Sequence, residues 1–217
     1  MTRQMDESAL RERIVRVMRA MIDKGLNRGT TGNVSARCGD GLLVTPSGVA
    51  PEKLTPDSIV FVGVDGETRE GSLKPSSEWR MHAGILARRA DIGAVVHCHS
   101  RFATILACAG KPIPPLHYMV GVAGRPDVPL APYATFGTEE LAECVADTLK
   151  EGYACLMANH GLLVAAPHLD RALAIAEEIE EQAAVYWGTL AIGGPTLLTD
   201  AQMADNFRQF GSYGQKR

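Results

Sequence analysis

The stretch Ala94-Val95-Val96-His97-Cys98-His99 is a short apolar run that ends in two histidines separated by one residue. The apolar run predicts a buried strand, and side chains at positions i and i+2 of a strand project from the same face. Both imidazoles can therefore reach one point, where they could hold a metal ion. Cys98 lies between them and is expected to point to the opposite face, as a small core residue.

Two other stretches supply the remaining ligand types for such a site. Pro75-Ser76-Ser77-Glu78 predicts a helix that Ser76 or Ser77 caps, with a carboxylate in its first turn, and Ala158-Asn159-His160-Gly161 lies between two apolar runs. Three imidazoles and one carboxylate suit zinc or a similar divalent ion with an exchangeable position. The predicted ligands are Glu78, His97, His99 and His160.

Two further histidines are not predicted to bind the metal ion. His82 follows Glu78 by one helical turn, and we place it on the helix surface or just outside the ligands, because four ligands are already available. His168 lies in a polar loop and has no expected function.

Length and composition favour a single domain. The 217 residues, 46% of them hydrophobic and 22% charged, can bury one core, so we expect a single domain over 1–217. The net charge of −3, without a basic block, argues against nucleic-acid binding. No N-terminal signal core and no window of roughly 20 apolar residues is present, so no membrane partner and a cytoplasmic location are expected. Five cysteines at scattered spacings indicate reduced thiols.

Hydrophobic periodicity predicts helices that alternate with short strands. A proline-rich region over 112–136 is expected to be an ordered, irregular connection with a short strand or two. Helix layers around strands that include hairpin neighbours indicate a three-layer α/β/α sandwich with a central mixed, mostly antiparallel sheet. The predicted helices cover about 8–24, 77–89, 101–109, 138–149, 169–190 and 199–210, and the predicted strands 33–37, 42–45, 59–64, 92–97, 154–157 and 162–165.

Three loops share small hydroxyl residues and glycine: Thr31-Gly32-Asn33, Ser47-Gly48 and Ser76-Ser77. Such loops let backbone N–H groups approach an anion, and the third opens a helix whose positive end favours phosphate. Taken together they predict a phosphate-binding surface. No Gly-x-Gly-x-x-Gly or Walker pattern follows a strand, so a nucleotide-binding fold is not supported.

These motifs together resemble the class II aldolase/adducin family, and the resemblance runs through nearly the whole chain. The residues that carry it are Gly29-Thr30-Thr31-Gly32-Asn33-Val34-Ser35, Thr45-Pro46-Ser47-Gly48, Pro75-Ser76-Ser77-Glu78, Val96-His97-Cys98-His99, His117-Tyr118-Met119, Ala131-Pro132-Tyr133-Ala134-Thr135-Phe136-Gly137-Thr138 and Asn159-His160-Gly161.

The resemblance implies a homotetramer with active sites at subunit boundaries, and it assigns functions to individual residues. His97, His99 and His160 match zinc ligands, with manganese or another divalent metal as an alternative, and Glu78 matches a residue that is both ligand and proton acceptor. Tyr118 and Tyr213 resemble tyrosines that a neighbouring subunit supplies, although on the sequence alone each could be a packing residue. The residues that match the phosphate loops are Gly32, Asn33, Ser47, Gly48, Ser76 and Ser77.

The implied reaction is cleavage of a ketose 1-phosphate, such as L-fuculose 1-phosphate, to dihydroxyacetone phosphate and an aldehyde through a metal-stabilised enediolate. Related reactions stay open: decarboxylation of a 3-oxo-acid phosphate, cleavage of 5-deoxyribulose phosphate, dehydration of methylthioribulose phosphate, or epimerisation. Glu78 favours the aldolase branch over the epimerases, whereas Ser100-Arg101-Phe102 departs from the expected pattern and leaves the aldehyde open. A non-catalytic adducin-like module would be expected to lack the metal histidines, which are all present.

Overall fold

A seven-stranded sheet forms the middle layer of the computed structural model, which describes residues 6–69 and 71–211. Its strands are β1 (Asn33–Cys38), β2 (Gly41–Val44), β3 (Val60–Val62), β4 (Ala94–Cys98), β5 (Leu130–Ala131), β6 (Ala154–Met157) and β7 (Gly161–Ala166). Their spatial order is β3-β2-β1-β4-β7-β6-β5. All neighbouring pairs are antiparallel except β5 and β6, which are parallel. The predicted mixed, mostly antiparallel sheet is confirmed.

The stretch that ends in His97-Cys98-His99 is the central strand, β4. Its Val96 pairs with Val34 of β1 on one side and with Val164 of β7 on the other. Both neighbours are antiparallel, so every residue of β4 is buried between two strands and two helix layers. A fully buried strand needs an unbroken apolar run up to its functional end, which is what the sequence provides.

Helices cover both faces of the sheet and complete the predicted α/β/α sandwich. They are α1 (Glu7–Asp23), α2 (Trp79–Arg88), α3 (Arg101–Cys108), α4 (Glu139–Thr148), α5 (Leu169–Ala191) and α6 (Asp200–Phe210). Helices α1, α3 and α5 share one apolar core with Ala94, Val96 and Cys98 of β4. Helices α2 and α4 share the other core with Val95. Cys98 therefore lies on the face opposite to His97, as the alternation predicts.

The proline-rich region is an ordered connection, as expected. An antiparallel bridge joins Ile113 to Val128, a 3-10 helix covers Tyr118–Ala123, and β5 follows. In the described ranges, no helix combines the length and the apolar character that crossing a bilayer requires.

Arg37 of β1 fixes the C-terminal end of α2 against the sheet. Its guanidinium donates hydrogen bonds to the carbonyl oxygens of Leu86, Arg89 and Ile92, at 2.6, 3.0 and 2.9 Å. The last carbonyls of a helix lack partners within the helix, and a guanidinium satisfies several of them at once. This anchoring holds α2, and with it the residues at its N-terminal end, in a set position over β1.

Candidate active site

Three histidines converge at the ends of β4 and β7. His97 is the fourth residue of β4, His99 follows that strand directly, and His160 occupies the turn that leads into β7. Because β4 and β7 are antiparallel neighbours, with Cys98 opposite Leu162, the end of one strand meets the start of the other. One ring nitrogen from each histidine lies within 4.8 Å of those of the other two. The predicted imidazole cluster is thus present as a compact group.

Hydrogen bonding and burial prepare these imidazoles to bind a cation. His97 Nδ1 lies 2.9 Å from the carbonyl oxygen of Leu162. A carbonyl only accepts, so Nδ1 carries the proton and Nε2 keeps a free lone pair. Burial lowers the pKa of His97 to about 3, and burial followed by the charge of His160 lowers the pKa of His99. Both rings are therefore neutral at physiological pH, which is the form that ligates metals.

Glu78 brings a carboxylate to the same point. Its Oε2 lies 3.4 Å from His97 Nε2 and its Oε1 lies 3.3 Å from His160 Nε2. Asn33 Nδ2 donates a hydrogen bond of 2.9 Å to Oε2, whereas the buried Oε1 has no hydrogen-bond partner. Burial works to raise the pKa of Glu78, but the positive charge that His97 and His160 carry when they are protonated, together with the Asn33 bond, outweighs it and holds that pKa below its ordinary value.

The donor set fits a divalent metal ion. The Nε2 atoms of His97 and His99 face each other at 3.0 Å, and the lone pair of His97 Nε2 also faces the Glu78 carboxylate. Neutral imidazole lone pairs and a carboxylate repel one another unless a cation or a proton lies among them. The unpartnered Oε1 of Glu78 adds a donor that such a cation would satisfy. Nitrogen and oxygen ligands of this kind are those of catalytic zinc sites.

The predicted start of α2 is wrong. The helix begins at Trp79, so Glu78 occupies the N-cap position and not the first turn, and neither serine caps it in the predicted manner. Ser76 Oγ instead accepts a bond from the Glu78 backbone N–H at 3.3 Å. The Glu78 side chain makes no capping bond because it turns towards Asn33 and the histidines.

The three predicted phosphate loops and two of the three clustered histidines line one cavity of about 390 Å³. Every predicted phosphate-loop residue lies on its wall: Gly32, Asn33, Ser47, Gly48, Ser76 and Ser77. Glu78, His99 and His160 line the same cavity, whereas His97 is fully buried behind them. The structure therefore brings the cation-binding and anion-binding candidates together. Their separate functions stay predictions.

Tyr118 does not line this cavity within one chain. Tyr118 is 46% exposed, stacks on His117 at 4.6 Å between ring centroids, and lies near Phe210 of α6. It lines a separate cavity with residues of α6. Tyr213 lies outside the described residues. The prediction that these tyrosines act from a neighbouring subunit stays a prediction.

Sequence reasoning missed several residues around the site. Tyr133 and Phe136, 63% and 65% exposed, lie on the cavity wall and give it an aromatic side.

The structure also decides the positions of the two histidines that were not predicted to bind the metal. His82 is fully buried, so the placement on the helix surface is wrong, although its position just outside the ligands is correct. His168 caps α5, because its Nδ1 accepts a bond from the Arg171 backbone N–H. A detectable signal existed for His82, which lies within the apolar face formed by Met81, Ile85 and Leu86.

Comparison with known proteins agrees with this geometry. The family model described as "Class II Aldolase and Adducin N-terminal domain" matches residues 12–187. The chain is 47% identical over 206 residues to the 5-methylthioribulose-1-phosphate/5-deoxyribulose-1-phosphate aldolase of Rhodospirillum rubrum, covering 95% of this chain and 93% of that protein. It is 44% identical over 211 residues to the L-fuculose phosphate aldolase of Escherichia coli strain K12, covering 97% and 98%.

A solved structure is similar over the same range. An L-fuculose 1-phosphate aldolase superimposes with a TM-score of 0.92 at 36% sequence identity, covering 96% of this chain and 99% of that one. The family model spans most of the chain, both relatives match nearly end to end, and the imidazole cluster stands at the strand ends described above. This chain belongs to the class II aldolase/adducin family.

Proposed function

We propose that this protein is a metal-dependent aldolase that cleaves a ketose 1-phosphate into dihydroxyacetone phosphate and an aldehyde. The observation that carries the proposal is a single cavity lined by cation-binding side chains and by three loops of small polar residues. A substrate that bears a phosphate near a ketone and a hydroxyl would engage both parts at once. Membership of an aldolase family supports the same reaction class.

His97, His99 and His160, together with Glu78, are the residues that would hold the metal, which we propose to be zinc or another divalent ion such as manganese. When bound, such an ion supplies Lewis-acid polarisation of the ketone and stabilises the negative charge that develops as the C3–C4 bond breaks. The protein keeps the imidazoles neutral through burial and fixes the tautomer of His97 through the Leu162 carbonyl. The ligands are thus set before an ion arrives.

Glu78 is the proposed proton carrier. In the direction of condensation it removes a proton from the hydroxymethyl carbon of dihydroxyacetone phosphate, and the aldehyde oxygen takes up a proton. In cleavage the C4 hydroxyl gives up its proton as the C3–C4 bond breaks, Glu78 takes up a proton in exchange, and Glu78 delivers it to the hydroxymethyl carbon. Glu78 lines the cavity and its buried Oε1 lacks a hydrogen-bond partner, so we assign this one oxygen both proposed functions of Glu78, contact with the ion and proton transfer. The low pKa of the carboxyl keeps it ionised as a base at neutral pH.

The phosphate would bind where the three loops meet. Small residues let backbone N–H groups approach it, and the N-terminus of α2 follows directly after Ser76, Ser77 and Glu78. Binding energy from this remote group would hold the reacting carbons against Glu78. The loop residues proposed for this contact are Gly32, Asn33, Ser47, Gly48, Ser76 and Ser77.

The aldehyde end of the substrate is proposed to be an unphosphorylated, weakly polar group. The names of the two relatives differ at this end, because one describes methylthioribulose and deoxyribulose phosphates and the other fuculose phosphate. Tyr133 and Phe136 give the cavity an apolar side that suits such a group. Tyr118 and Tyr213 would complete the site from the next subunit of a homotetramer in the cytoplasm, where one of them would protonate the aldehyde oxygen.

A substrate panel tests the proposal. Zinc-loaded protein is incubated with L-fuculose 1-phosphate, 5-deoxyribulose 1-phosphate, 5-methylthioribulose 1-phosphate and a 3-oxo-acid phosphate, and dihydroxyacetone phosphate, aldehyde and carbon dioxide are measured. Dihydroxyacetone phosphate in equal amount to an aldehyde is the expected result. Carbon dioxide without aldehyde would move the protein to a decarboxylase branch. Loss of water from the methylthio substrate without cleavage would make it a dehydratase.

A further inference from the structure

His82 is a fully buried histidine that the reaction described above does not use. It lies on α2, one turn beyond Glu78, and its ring points at β1. Its Nδ1 is 2.7 Å from Ser35 Oγ and its Nε2 is 2.5 Å from Asn33 Oδ1. Burial lowers its pKa to about 4, so the ring is neutral at neutral pH and carries one N–H.

The hydrogen bonds around this ring have one consistent direction. A carboxylate only accepts, so the Asn33 atom that faces Glu78 Oε2 at 2.9 Å is the amide nitrogen. The other end of that amide is therefore an oxygen, and His82 must donate to it through Nε2–H. Nδ1 is then an acceptor, and the Ser35 hydroxyl donates to it. Three bonds thus run from Ser35 through His82 and Asn33 to Glu78.

We propose that His82 is a positioning residue that locks the amide of Asn33 with its nitrogen towards Glu78, and so holds the carboxylate in place for proton transfer. This inference rests on the proposed aldolase function of Glu78. Asn33 can then bond both Glu78 and the substrate, because its amide nitrogen has two hydrogens and donates only one of them to Glu78 Oε2. Asn33 lines the cavity, so the second hydrogen is free for the substrate.

The physical reason is the near symmetry of an amide. Without a donor at the His82 position, rotation of the Asn33 amide by half a turn becomes possible, and its oxygen would then face the Glu78 carboxylate. That arrangement is repulsive, so Glu78 would move away from the amide. Glu78 lies within 3.4 Å of two imidazoles, so a small movement would displace its free Oε1 from the reacting carbon.

Two substitutions separate the hydrogen bond that His82 donates to Asn33 from the packing of its buried side chain. In His82→Gln the amide nitrogen reaches the position of imidazole Nε2 and can still donate to Asn33. In His82→Asn the shorter side chain reaches only the position of Nδ1, so it can bond Ser35 but not Asn33. Both replacements are polar and both lose the ring, so a purely structural function predicts similar effects. Ile85→Val, one turn along the same helix and buried, controls for loss of packing.

The first readout is solvent hydrogen exchange at the hydroxymethyl carbon of dihydroxyacetone phosphate, with zinc-loaded protein. We expect His82→Asn to lower the exchange rate at saturation about 100-fold with KM much less affected, since a misplaced catalytic group costs roughly that much. His82→Gln should retain most of the rate, and Ile85→Val should lower only the melting temperature. Equal losses in the Asn and Gln variants, or no loss in either, would overturn the proposal.

The second readout does not depend on activity. Protein labelled with ¹⁵N at histidine and asparagine should show His82 as the Nε2–H tautomer, and the Asn33 side-chain amide resonances should shift in His82→Asn but stay near their wild-type position in His82→Gln. An Nδ1–H tautomer would refute the bond direction. If wild-type protein neither exchanges hydrogen into dihydroxyacetone phosphate nor cleaves any substrate, the proposed function is wrong. The spectra still test the hydrogen bonds from Ser35 to Glu78 in that case.

Discussion

At Gly161 the start of β7 passes close to the end of β4 beside the imidazole cluster, and the replacement of Gly161 by alanine tests how closely packed the site is. An added Cβ would lie 2.5 Å from the carbonyl oxygen of Cys98 and 3.1 Å from Cδ2 of His99. The first contact is with backbone, which cannot rotate away. We expect Gly161→Ala to force β4 and β7 apart at the point where His99 and His160 meet.

The expected cost follows from these distances. Ordinary contact requires about 1 Å more space than the 2.5 Å approach offers, so the strand ends must move by a comparable amount. Overpacking of this kind costs roughly 1–3 kcal/mol, which for a domain of this size lowers the melting temperature by about 2–4 °C per kcal/mol. A zinc–nitrogen bond is about 2 Å long, so a shift near 1 Å at His99 should weaken zinc binding roughly 10- to 100-fold.

The assay is thermal unfolding with zinc and with a chelator, together with zinc titration. Gly161→Ala should melt lower in both conditions and gain less stability from zinc than the wild type, because ligand stabilisation scales with the logarithm of affinity. Gly188→Ala is the matched control, since its Cβ would meet nothing within 4 Å and it lies inside α5. That change should stabilise the helix by about 0.5–1 kcal/mol and leave zinc affinity unchanged. Wild-type melting and zinc binding in Gly161→Ala would refute the close-approach argument.

Two further substitutions and one labelling experiment test other features of the molecule. Glu78→Gln should keep zinc on the histidines while hydrogen exchange into dihydroxyacetone phosphate falls about 10²- to 10⁴-fold, and normal exchange would remove Glu78 from the mechanism. The pKa of Glu7 is lowered from 4.5 to about 2, chiefly by its hydrogen bond to Arg69, which outweighs the opposite effect of burial. The ionised Glu7 therefore stabilises the fold above pH 4.5, and this contribution is lost as the pH falls towards 2. Glu7→Gln should therefore cost about 1 kcal/mol at pH 7 after solvent screening and nothing near pH 2, and a pH-independent difference in urea unfolding would contradict this. Cys108 is exposed, whereas burial raises the pKa of Cys155 to about 12, so a thiol reagent should modify Cys108 in native protein and Cys155 only in denaturant, and prompt native labelling of Cys155 would contradict its burial.

Local patterns predicted the parts of the site that one element decides alone. The spacing of His97 and His99 follows from strand alternation, and the apolar run before them makes β4 a fully buried strand. The three small polar loops also lie together, on the wall of one cavity, although their binding of phosphate stays a prediction. In each case the information lies within a few consecutive residues, so the sequence could reveal it.

Features that depend on packing between elements were not predictable in this way. The helix α2 begins later than predicted, and its N-cap residue Glu78 turns its carboxylate to Asn33, which lies 45 residues earlier in the chain. The function of His82 depends on which face of α2 meets β1, and that face is set by Arg37 and by the helices packed alongside. The order of the seven strands likewise reflects crossovers that no single stretch encodes.

The residues Asn159, His160 and Gly161 lie at the turn between β6 and β7, and each contributes a different property to the site. Met157 of β6 pairs with Gly161 of β7, so the chain must reverse within three residues. Asn159 supplies the left-handed conformation at φ 55°, which no other non-glycine residue adopts in the described ranges, and asparagine tolerates it better than most residues. His160 then projects from a tight turn, held by its backbone bond to Met157 at 3.0 Å. Gly161 alone lets β7 pass the Cys98 carbonyl closely enough for His160 and His99 to meet. A ligand on a longer, freer loop would lose conformational entropy when the ion binds, so this rigid turn favours a preformed metal site.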